Sequence, residues 1–307
     1  VIELFKDPKS YAIRTVGLPG LSALGVCFGR VITAISPVGG RFNWGQVLWH
    51  ELNHVFTIQL SRSRVPRWLT EGLADMEPTL RRAEWKREND FDIYRAVARG
   101  ALHPLSQMNT AFTQARSMND MVVAYYHGSL MARFLVERYG LPRVLEGLKA
   151  FARSKRLVQA LAVITGGVAP AELDRQFLKI QKRRLAHYAR SFYVDPERYF
   201  DLDARQRRAA AHPDDVEAQA ALAVALLVEG KKDAAHEQVE AVLARHPRQK
   251  LALFTAAQLA LARNDRTGAA RRLKELLAAG GDGYEVRLML GRLYLEQGDL
   301  AGGKKQL

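Results

Sequence analysis

A chain of 307 residues, 48% of them hydrophobic, is long enough for two domains and too apolar for wholesale disorder. It has no run of eighteen apolar residues, so no transmembrane segment is expected, and its single cysteine, Cys27, excludes an internal disulfide and leaves the redox compartment open. The net charge of +14 is spread over separate clusters (Arg62, Arg64 and Arg67; Arg81, Arg82, Lys86 and Arg87; Lys179, Lys182, Arg183 and Arg184) without interleaved aromatics. That pattern reads as a solvated basic face rather than a nucleic-acid partner, while leaving room for acidic substrates or an anionic membrane surface.

The chain opens at Val1 in strand-like sequence and is expected to be a piece of a longer protein. Residues 11–16 (Y-A-I-R-T-V) and 25–36 (G-V-C-F-G-R-V-I-T-A-I-S) are rich in β-branched and aromatic residues and read as two strands separated by the turn G-L-P-G at 17–20. Gly29 marks a bulge or a close backbone approach. A strand just before the next helix could lie along a cleft and pair with an extended peptide. Asn43 is a suitable N-cap for a helix from Trp44 to about Leu60, wrapped by Val47, Leu48, Leu52, Val55, Phe56 and Ile58 and therefore largely buried.

That helix carries W-H-E-L-N-H. His50 and His54 are four apart, one turn above the other, so both imidazoles can reach one metal ion, while Glu51 can touch a water held there without being a ligand. A buried imidazole without a partner is costly, and a metal accounts for both at once, although a satisfied core histidine is an alternative for either alone. Ser61, Ser63 and Pro66 break the helical pattern, and a second helix runs from Pro66–Leu69 to about Glu77, ended by Pro78. It supplies Glu71 as a third ligand and, four residues on, Asp75, placed to accept a hydrogen bond from the far nitrogen of a liganding histidine. Two imidazoles, a carboxylate and an open position describe a tetrahedral catalytic zinc site; a solvated helix glutamate is the alternative for Glu71.

D-F-D-I-Y-R-A-V-A-R-G at 90–100 reads as a helix closed by Gly100, and 105–119 as a polar rim. Residues 120–140 form a helix stopped by Gly140 and Pro142, packed against the metal helices. It offers Tyr126 first, Tyr125 second and His127 third as the group that donates to a developing oxyanion, each with helix-interface packing as its alternative. Helices over about 143–165 and 170–190 complete a first domain at 1–195, with a linker between Ser191 and Arg205.

Residues 205–307 repeat every 34 residues. Gly230, Asn264 and Gly298 share one phase at inter-helix turns, as do Pro213 and Pro247, while Ala223, Ala257 and Gly291, and Ala235, Ala269 and Gly303, mark close helix crossings. This region resembles tetratricopeptide repeats, stacked helical hairpins whose concave face binds protein partners, and the array is expected to continue past Leu307.

Together, L-G-V-C-F-G-R-V at 24–31, F-N-W-G-Q-V-L-W-H-E-L-N-H-V-F at 42–56, P-R-W-L-T-E-G-L-A-D at 66–75 and the helix A-Y-Y-H-G-S-L-M-A-R-F-L-V-E-R-Y-G resemble the peptidase MA-like family of gluzincin zinc metallopeptidases, which includes thermolysin. The resemblance implies an α+β zincin-like domain followed by an α-helical solenoid. It also implies one Zn2+ on His50, His54 and Glu71, with Glu51 as general base in peptide-bond hydrolysis. The G-x-M-E-N segment of gluzincin aminopeptidases has no counterpart between Leu4 and Trp44, which favours an endopeptidase. The alternative is a catalytically inactive peptidase-like scaffold that binds protein partners through its repeats. An extracytoplasmic location, periplasmic or secreted, is slightly preferred, because many secreted hydrolases share this chemistry.

Overall fold

The computed structural model describes residues 1–17, 23–85, 89–153 and 156–306. The expected turn beyond Gly17, and Lys86 and Arg87 of the basic clusters, lie outside the described residues. The chain is mostly helical and divides into two compact units, Val1–Ala186 and His187–Leu307. The division falls after Ala186 rather than at 195, because Phe192 packs edge-to-face on Phe254 and donates its N–H to the Asp282 carbonyl, both in the second unit.

The first unit orders β1 (Ile2–Phe5), α1 (Pro8–Val16), β2 (Gly25–Cys27), β3 (Ile32–Ile35), α2 (Trp44–Ser61), α3 (Arg67–Arg81), α4 (Asp90–Ala98), α5 (Met108–Thr113), α6 (Met118–Tyr139), α7 (Leu141–Arg153), α8 (Leu157–Thr165) and α9 (Pro170–Arg184). Residues 11–16 are helical, contrary to the strand expected there. Asp7 caps α1 by accepting the Ser10 N–H, Pro8 opens it and Gly17 closes it in the left-handed region, and these local signals outweigh the β-branched composition. The expected single strand over 25–36 is instead a hairpin. Phe28 N–H reaches Val31 carbonyl across a turn in which Gly29 has φ +78°. The sheet order is β1-β3-β2, with β3 fully buried at its centre, parallel to β1 and antiparallel to β2.

Helix α3 continues past Pro78, the expected stop, to Arg81. The last turn holds because Thr79 Oγ1 donates to Met76 carbonyl at 2.6 Å and Arg82 N–H to Pro78 carbonyl at 3.0 Å. Residues 105–113 are not merely a polar rim: Leu105, Met108 and Phe112 are buried beside α6. The expected helix over 143–165 is two helices, α7 and α8.

The core that positions the site is the crossing of α3 and α6. A Cβ on Gly72 would stand 2.3 Å from Gly128 carbonyl oxygen, and one on Gly128 2.9 Å from Trp68 carbonyl oxygen. Backbone therefore touches backbone, and the face of α3 bearing Glu71 is held at a fixed depth between α2 and α6.

The second unit contains α10 (Leu202–Ala211), α11 (Val216–Val228), α12 (Lys232–Arg245), α13 (Lys250–Ala262), α14 (Arg266–Ala278), α15 (Tyr284–Glu296) and α16 (Leu300–Gln306). The pairs α11–α12, α13–α14 and α15–α16 form a helical solenoid. Gly230, Asn264 and Gly298 occupy one slot in its three hairpin turns, with φ +76°, +59° and +80°. Only glycine, or asparagine at small cost, enters this left-handed region readily, which explains why these residue types recur. Ala223, Ala235, Ala257 and Ala269 are all fully buried where helices meet. Among the described residues of the chain, no single helix is long and apolar enough to cross a membrane.

Candidate metal centre

Asn43 Oδ1 accepts the Gln46 N–H and starts α2, and the chain leaves that helix through Arg62 and Ser63, both left-handed at φ 51° and 59°. This sharp exit returns α3 alongside α2, so Glu71 and Asp75 face His50 and His54. His50 Nε2, His54 Nε2 and Glu71 Oε2 converge: the nitrogens are 3.1 Å apart, and they lie 3.5 and 3.4 Å from the oxygen. A tetrahedral ion with bonds of about 2.0–2.1 Å has ligand–ligand edges of about 3.3–3.4 Å, so the triangle has the size such an ion requires.

The protons around the triangle can be assigned from the outer hydrogen bonds. Asp75 Oδ1 lies 3.0 Å from His50 Nδ1, and since a carboxylate only accepts, that nitrogen carries a proton. Thr57 Oγ1 donates to the His54 carbonyl at 3.2 Å, so the 2.7 Å contact between Thr57 and Thr70 hydroxyls must be donated by Thr70. Thr70 Oγ1 must then accept at its 2.8 Å contact with His54 Nδ1. Both Nδ1 atoms are donors, which leaves both Nε2 lone pairs, in the neutral rings, directed at Glu71 Oε2. Three acceptors this close are stabilised only by a cation between them, either a proton on His50 or a metal ion.

The titration behaviour expresses the same demand. Burial pulls the His50 pKa down, but Asp75 and Glu71 more than reverse this and carry it up to about 10. Burial pushes Glu71 up, yet its bonds to His50 and His54 hold it at about 2. Glu51 is 7% exposed and lifted above the ordinary carboxylate range by burial, against the opposing pull of the two imidazoles. Its side chain lies along β2: a Cβ on Gly25 would stand 2.7 Å from Glu51 Cγ and 2.9 Å from Oε1. His50, His54 and Glu71 together could hold a metal ion.

No protein-family model, curated protein or solved structure matches the chain.

The tyrosines separate. Tyr126, the first choice for the oxyanion donor, turns its hydroxyl away and donates to Asp90 Oδ1 at 2.5 Å, where Arg184 also pairs. Tyr125, the second choice, is on the Glu71 side. It accepts from Arg67 Nη2 at 3.4 Å, and burial, then the charge of Glu71, raises its pKa. His127 is 4% exposed against Phe177, and burial drives its pKa down to about 4, so it stays neutral and is part of the core.

Sequence reasoning passed over Thr57, Thr70 and Arg67. A threonine three residues after His54 and another directly before Glu71 were the available signals for the first two. Arg67 was grouped with a solvated basic face, but it stands four residues before Glu71, with Nε 3.5 Å from Glu71 Oε1.

Proposed function

We propose that this chain is a zinc-dependent hydrolase of peptide bonds, an endopeptidase of the gluzincin type. The observation that carries this reading is the convergence of three lone-pair-bearing ligand atoms with the Glu51 carboxylate beside them. His50, His54 and Glu71 would hold the zinc, and Asp75 and Thr70 orient the two rings from behind. A zinc bound there supplies Lewis acidity, polarising a scissile carbonyl and acidifying a water. Glu51, whose raised pKa suits a general base, would take a proton from the attacking water and deliver it to the leaving amine. Tyr125, on the Glu71 side of α6, would donate a hydrogen bond to the developing oxyanion. β2 is an edge strand with no second partner among the described residues, and Glu51 packs on its face at Gly25, so an extended peptide adding to that edge as a further strand would run beside Glu51.

Metal analysis combined with cleavage profiling on a mixed peptide library tests this. Glu51→Gln should keep stoichiometric zinc and lose turnover by about a thousandfold. Hydrolysis by a metal-free Glu51→Gln protein would refute the mechanism, and stoichiometric zinc with no turnover of the unaltered chain would favour the inactive scaffold.

A protein partner on the solenoid is a second part of this proposal; a groove of about 310 Å³ lined by Val224, Leu227, Phe254 and Glu285 of α11, α13 and α15 is where it would dock. Val194 and Pro196 of the same unit already form one wall of it.

A further inference from the structure

The side chain that the metal centre does not explain is Arg67. A positive charge beside a site built for a divalent cation opposes metal binding, so its presence there calls for another reason. The guanidinium lies over the Phe112 ring, 4.7 Å from its centroid, which fixes its plane. Its two polar contacts are both long, 3.5 Å to Glu71 Oε1 and 3.4 Å to Tyr125 hydroxyl. The side chain is 47% exposed. Among the described residues, Nη1 has no partner shown. A planar fork backed by an aromatic face, loosely held and open on one side, suits a carboxylate that arrives from solution.

We propose that Arg67 reads a carboxylate on the substrate, within one or two residues of the scissile bond; this rests on the peptidase reading above. Arg67 precedes Glu71 by one helical turn on the same face of α3, and an extended peptide advances about 3.3–3.6 Å per residue. A carboxylate one or two residues from a carbonyl held at the His50, His54 and Glu71 triangle therefore reaches the guanidinium. The carboxylate can belong to an aspartate or glutamate side chain or to the peptide C-terminus.

Binding to the full chain carrying Glu51→Gln separates these cases without turnover. Matched peptides differ only by Asp against Asn or Glu against Gln at each position, or by a free against an amidated C-terminus, and metal content is measured alongside. The carboxylate member should bind at least about tenfold tighter, and adding Arg67→Gln should bring the ratio to about one with zinc content kept, while Arg67→Lys keeps part of it. The pair whose ratio collapses identifies the source. No carboxylate preference, or an equal loss on every peptide together with loss of zinc, overturns the inference and leaves Arg67 as a support for Glu71. Cleavage by the unaltered chain is scored separately. Turnover without preference refutes the role of Arg67 alone, and preference without turnover refutes the peptidase reading alone.

Discussion

The α2–α3 pair and the α13–α14 hairpin are both two packed helices joined by a turn with a left-handed non-glycine residue, yet they bury opposite things. Between α13 and α14 the contact is made by Ala257, Ala269, Leu259 and Leu273, and the one buried hydroxyl nearby, Thr255, donates to its own helix at Leu251 carbonyl. Between α2 and α3 lie two imidazoles, two carboxylates and two threonines in one connected network. The first arrangement is what apolar burial favours and can be repeated every 34 residues. The second leaves an electron-rich triangle that is complete only with a cation. The apolar interface serves stability, and the polar one is where the proposed chemistry would take place.

Removing a ligand should break this contrast most severely. Glu71→Ala is expected to lower zinc affinity on the order of a thousandfold, read by chelator competition, without unfolding α13–α14. In the unaltered chain the same titration should show affinity rising about tenfold per pH unit between pH 6 and 8. The His50 ring, whose pKa stands at about 10, must release one proton to the metal, and the release becomes easier as pH rises. Affinity independent of pH there would show that His50 is not a ligand.

The complementary break is Leu273→Ala. It removes a fully buried side chain from the solenoid and should cost about 2–5 kcal/mol in the denaturant transition of the second unit while zinc affinity is unchanged. His127 sharpens the comparison from within the first unit, as a buried imidazole with no place in the triangle. Its folded pKa of about 4 lies below the ordinary 6.5, so the unfolded chain binds a proton first as the pH falls. The stability it contributes is complete above pH 6.5 and is lost on descending to pH 4, about 3 kcal/mol in all. Denaturant midpoints at pH 7 and pH 4 should show that His127→Gln loses less over this interval than the unaltered chain.

The smallest effect concerns the turns. Asn264 tolerates its left-handed conformation, but Ser63 at φ 59° does so less readily, so Ser63→Gly should stabilise the first unit by about 0.5–1 kcal/mol in a thermal or urea melt. A loss of stability instead would mean that the serine side chain holds the turn.

Much of the site was legible because its signals are local. The i, i+4 spacing puts His50 and His54 on one face of any helix, and the same spacing puts Asp75 with Glu71. Helix α2 was legible from Asn43, but not its burial: the apolar residues expected to wrap it are not its buried ones, Leu52 and Phe56 are exposed, and the side chains it buries are Glu51, His54, Thr57 and Ser61, because this face packs on the polar side of α3. The solenoid was legible from a 34-residue phase whose left-handed Gly230, Asn264 and Gly298 are a backbone requirement. Where a local signal was overlooked, the reading failed. Asp7 and Pro8 open a helix over residues 11–16 that composition alone suggested was a strand, and Phe28–Val31 close a hairpin rather than interrupt one strand.

What only the tertiary structure decided is which neighbours the helices bring. Tyr125 and Tyr126 are adjacent in sequence and alike in chemistry, and nothing local tells which hydroxyl faces Glu71. The close contact of Gly72 with Gly128 sets the rotation of α6 against α3, turning Tyr126 to Asp90 and Tyr125 toward Arg67. Likewise, the proton positions on His50 and His54 follow from Asp75, Thr57 and Thr70 acting across the α2–α3 interface. Residue spacing determines which side chains share a helix face, but hydrogen-bond direction and the choice between neighbouring side chains arise only once two helices have packed.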